Sequence, residues 1–120
     1  MNYLVAFLAL VTSVGVFASA TSQPIASGRY IFHHRFAEQP NMQLSPVVVK
    51  IAGRHITVIS TTTADGFPKG IIAEGTLMWH PKTKEWIIGL EAGDRDAVEV
   101  GGCSGGPEVV DLKKRIFWTC

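Results

Sequence analysis

Two cysteines are all that this chain of 120 residues has for covalent cross-links, which excludes both a disulfide-dense scaffold and a paired-cysteine zinc site. Charge is also scarce, at 18% of residues, and 11 basic side chains nearly cancel 10 acidic ones. A net charge of +1 offers no electrostatic attraction to nucleic acid or to an anionic membrane. The four histidines form no His-x-His alternation and no H-E-x-x-H helix motif, so a metal site has no ligand pattern to build on. Internal repeats, low-complexity tracts and amphipathic helical periods are missing as well. What remains is alternation of the strand kind.

The first twenty residues read as a targeting segment. Leu4 to Phe17 is an almost unbroken apolar run, followed by Ala18-Ser19-Ala20, the small residues a signal peptidase requires. The run is shorter than the roughly 20 apolar residues of a spanning helix, and no charge follows it, so a membrane anchor is not expected after cleavage. The reading is a signal peptide over 1–20 and a single β domain over 21–120, exported to an extracellular or periplasmic space.

Gly70 to Leu90 is the densest strand signal. Two β-branched and aromatic runs flank His80-Pro81-Lys82-Thr83-Lys84, a polar connection with a turn-forming proline. On its first arm Ile71, Ala73, Gly75, Leu77 and Trp79 share one face; on its second, Trp86, Ile88 and Leu90 do. A second hairpin spans Pro46 to Thr62, with Val47, Val49 and Ile51 answered by Ile56 and Val58 across Ala52-Gly53-Arg54. Arg29 to Phe36 alternates as a first strand, with Tyr30, Phe32, His34 and Phe36 on one side. Glu108 to Asp111 and Arg115 to Cys120 make a closing pair, and Ala97 to Val100 is a candidate edge strand. The expected fold is therefore all-β: a small antiparallel meander of six to seven strands, closing as a barrel or sandwich, with one disulfide.

That disulfide joins Cys103 to Cys120 on the argument of an even count in an oxidising compartment. Closing about 17 residues, it contributes roughly 3 kcal/mol in the chain-entropy model. It also tethers Glu91 to Pro107, the longest stretch without a strand pattern, rich in glycine and acidic residues.

Gly102-Cys103-Ser104-Gly105-Gly106-Pro107 resembles the nucleophile loop of chymotrypsin-like serine proteases. The resemblance implies a two-barrel fold with a histidine and an aspartate from the first barrel, which 100 residues do not supply. Cys103 also replaces the acidic residue that precedes the serine, so the segment reads as a glycine-rich turn delivering a cysteine to its partner. His33 and His34 point to opposite faces of a strand, while His55 and His80 sit at turns. Glu74 is the one carboxylate within a strong strand pattern. Gly28-Arg29-Tyr30 resembles the Gly-x-Trp opening of lipocalins, with tyrosine in place of tryptophan.

The expectation is a non-catalytic binding protein presenting loops to a macromolecular partner, with Asp94, Arg95 and Asp96 as the charged loop tip. The alternative is a lipocalin-like carrier of a small apolar ligand, its pocket built from Tyr30, Trp79, Trp86 and Trp118. Catalytic residues, metal ligands, cofactors and nucleic-acid partners are not expected.

Overall fold

A computed structural model describes residues 21–120; the signal peptide expected over 1–20 lies outside the described residues. Seven strands follow in chain order: β1 (Gly28–Phe36), β2 (Val47–Ala52), β3 (His55–Ser60), β4 (Gly70–His80), β5 (Glu85–Gly89), β6 (Glu108–Asp111) and β7 (Ile116–Thr119). Each pairs antiparallel with the next, and β1 meets β7 to close the sheet into a barrel. That seam is parallel, with His33 to Phe36 beside Ile116 to Thr119. In an up-and-down meander with an odd number of strands, the first and last run the same way. The parallel seam follows directly.

The two longest strands each serve two neighbours. The first half of β1 pairs with β2 and its second half with β7. Likewise β4 lies along β3 as far as Thr76 and along β5 from there to His80. Gly75 sits at this change of partner, where a Cβ would collide with the carbonyl oxygen of Gly89. A side chain at that position would hold the strands apart.

Alternation fills the interior. Phe32, Val47, Val49, Ile51, Ile56, Val58, Leu77, Trp86, Ile88, Val110, Leu112 and Phe117 form one buried cluster, as a closed barrel of this size requires. Trp79 packs against it, its ring centre 5.5 Å from that of Trp86 in an edge-on arrangement. At one end His34 is buried between Phe67 and Phe117, with Nε2 2.9 Å from the Thr119 hydroxyl. Burial holds its pKa below the ordinary imidazole value, with Asp65 pulling weakly the other way.

Three expectations are corrected. Ile71 does not share the inward face of Ala73 and Leu77, and it is 59% exposed. The β3–β4 register shifts at this point: Val58 pairs with Ala73 but Ile59 with Ile71, leaving Ile72 as the extra residue of a bulge. One added residue inverts the alternation beyond it. Leu90 likewise lies past the end of β5, 80% exposed, not on the face of Trp86 and Ile88. Ala97 to Val100 forms no strand. The loop holds a 3₁₀ turn at Ala92–Asp96 instead, because Asp94 folds back and its Oδ2 accepts bonds from the amides of Leu90 and Glu91.

Candidate functional site

Residues 91–107 do not hang free from the barrel; they lie over the outer face of β4 to β6. At their far end the Cys103–Cys120 disulfide, with Cα atoms 4.8 Å apart, ties them to the residue after β7. The Gly101 amide donates to the Pro107 carbonyl at 2.7 Å and closes the loop on itself. From below, Ile87 and Val109 point outward from neighbouring strands yet are buried. The loop covers them as a second, smaller apolar layer.

His80 is the central tether, a role that no sequence pattern marked. A histidine preceding a turn is usually wet, but this one is fully buried. Nε2 lies 2.7 Å from the carbonyl of Ala97, which can only accept, so Nε2 carries the hydrogen. Nδ1 is then the acceptor, taking bonds from the Thr83 hydroxyl at 2.8 Å and the Thr83 amide at 3.3 Å. The ring thus joins the β4–β5 turn to the loop with both nitrogens satisfied. Lys82 adds a donor to the Val98 carbonyl.

The expected loop tip separates by role. Asp94 is turned into its own backbone, whereas Arg95 and Asp96 are exposed. Two apolar side chains flank them in sequence and are exposed, Leu90 at 80% and Val98 at 77%. Spacing read Leu90 onto the face of Trp86 and Ile88 and Val98 into an edge strand, and neither reading pointed to an exposed loop residue. Ser104 is engaged locally: its hydroxyl donates to the Gly101 carbonyl and accepts from the Gly106 amide. This is the behaviour of a turn residue.

Of the four pocket candidates, three come together. Trp79, Trp86 and Trp118 border one cleft of about 230 Å³ at the β5–β7 end of the barrel, with Lys84 and Lys113 at its rim. Tyr30 is elsewhere, donating its hydroxyl to the Ala26 carbonyl beneath the Arg115 guanidinium. A second cleft, of about 360 Å³, opens between the loop and the other end of the sheet. Ile72, Ala73 and Ile88 give it apolar walls, and Glu74, Asp94 and Glu108 line it with carboxylates.

These carboxylates differ in their partners. Glu74 points outward and accepts from the Thr57 hydroxyl at 2.9 Å and approaches His55 Nε2 at 3.3 Å; the hydroxyl first, then the imidazole, holds its pKa below the usual range. Glu108 has no such support. Its Oε2 is sealed from solvent without a hydrogen-bond partner among the described residues, and desolvation pushes its pKa up. No group of three or more metal-ligating side chains converges among the described residues.

No family model matches the chain, and comparison with curated proteins and with solved structures finds no match.

Proposed function

We propose that this protein is a small exported, non-catalytic binding module that meets a macromolecular partner through the pinned loop 90–107. The observation that carries the reading is the exposure of Leu90 and Val98, at 80% and 77%, on a segment tethered by a disulfide and a buried histidine. A loop already held in place loses little conformational entropy on association, so its contacts contribute more fully to affinity. Apolar anchors bordered by charged side chains, here Arg95 and Asp96, are the usual anatomy of such a contact. The disulfide accords with an oxidising compartment, as export requires.

The carrier reading draws support from the convergence of Trp79, Trp86 and Trp118, but at an open cleft. The barrel interior is occupied by core side chains, which weighs against a lumenal ligand.

Capture from extracellular or envelope extracts tests the main reading. The wild-type chain is expected to retain a specific protein that a Leu90→Asp/Val98→Asp variant releases, with the unfolding midpoints of the two chains equal. A wild type that captures nothing, or a variant that captures equally, overturns it.

A further inference from the structure

Glu108 occupies an inward-facing position at the start of β6, opposite Ile88 on β5. A carboxylate there is expensive, because burial removes water from the charged form and something must replace it. Within the described residues nothing does. The single ion pair joins His55 to Glu74, the Glu108 Oε2 has no donor, and no basic side chain lines the cleft that Glu108 borders. The other two carboxylates at this cleft are committed, Glu74 to Thr57 and His55, and Asp94 to the backbone of its own turn. They contribute negative potential at the rim but are not free to reorganise around a ligand.

We infer that the cleft between loop residues 105–107 and strands β4 and β5 is a binding site for an alkylammonium or alkylguanidinium group, with Glu108 as its counter-ion. The aliphatic stem of such a ligand matches the walls formed by Ile72, Ala73 and Ile88, and its cationic head supplies the counter-charge that the Glu108 carboxylate lacks. The volume of about 360 Å³ accommodates one such chain. The third wall is the stretch after Cys103, so the disulfide also fixes the shape of this site. The inference deepens the binding reading and rests on it for one source of the cation, a lysine or arginine side chain of the partner; a free amine is the other.

Amide chemical shifts of the full wild-type chain, titrated separately with n-butylammonium, n-butylguanidinium and n-pentanol, test it. The expected result is a saturable shift at Ala73, Ile88, Gly106 and Glu108 with both cations, no response to the neutral alcohol, and at least tenfold weaker binding by Glu108→Gln. The carboxyl resonance of Glu108 in the wild type gives a readout that needs no variant: its titration midpoint falls when the cation is present. A lysine-containing tripeptide amide that binds more tightly than n-butylammonium assigns the source to a polypeptide, and the reverse order assigns it to a free amine. Absence of a saturable shift, an equal response to pentanol, or undiminished binding by Glu108→Gln overturns the site. Cation binding together with a failure to capture any protein retains the cleft and removes the loop reading, so the two can fail separately.

Discussion

The barrel carries two apolar rows on its outside, and their ends are covered differently. On one side Met78, Ile87 and Val109 lie in register across β4, β5 and β6, with Ile87 and Val109 buried under the loop. On the other, Ile31, Val48, Ile59 and Ile71 lie in register across β1 to β4; Val48 within the row is buried, but both its ends are open, Ile31 at 60% and Ile71 at 59%. The residue types are nearly the same. What separates the two faces is a loop of backbone held down by one disulfide and one histidine. A β-branched residue pointing out of a sheet therefore carries different energetic weight according to what the rest of the chain lays over it.

The largest expected effect breaks that comparison at a single pair. Ile87→Ala should cost about 2–5 kcal/mol by loss of buried area and creation of a cavity. Ile71→Ala should stay within about 0.5 kcal/mol, as exposed substitutions do. Equal losses in urea unfolding would mean that the loop does not bury Ile87.

Next in size is the disulfide. Cys103→Ser/Cys120→Ser is expected to lose about 3 kcal/mol in the chain-entropy model. Hydrogen exchange should accelerate most at Ile87 and Val109 and least at Val49 and Val58, which the loop does not touch. Uniform acceleration would show that the covering loop is no separate layer.

The smallest effects are pH-dependent and come from His34 and Glu108. Burial lowers the pKa of His34 from its ordinary 6.5, so the unfolded chain binds the extra proton first. Its contribution is complete above pH 6.5 and is lost as pH falls toward the depressed folded value. Glu108 has the opposite sign. Its pKa is raised from 4.5, so its contribution is complete below that pH and is lost as pH rises through the folded value. The stability of wild type minus that of Glu108→Gln should therefore decline with rising pH in that window, and wild type minus His34→Phe should rise toward pH 6.5. Flat differences in thermal unfolding would show that these groups are solvated.

Most of the strands were legible because an alternating face leaves a period-two trace, and Val47-Val49-Ile51 against Ile56-Val58 leaves little choice of partner. The pairing of Cys103 with Cys120 was legible from count alone. Ile72 was not, because a bulge adds a residue without changing composition, and the hydrophobic Ile71 looks the same whether it faces in or out. His80 was hidden for a related reason: its acceptor is the carbonyl of Ala97, and every residue has a carbonyl. Glu108 was read only as the beginning of a strand, since its isolation depends on which groups the fold fails to bring near.

Sequence alone determined that this chain forms antiparallel hairpins around an aliphatic and aromatic core with a tethered glycine-rich segment, because turn chemistry, side-chain alternation and cysteine number act locally. The tertiary structure decided the rest: the parallel β1–β7 seam, the side of the barrel the loop covers, and the Glu108 oxygen left without a partner among the described residues. These depend on where water is excluded and which distant groups meet, and neither is written in the order of neighbours along the chain.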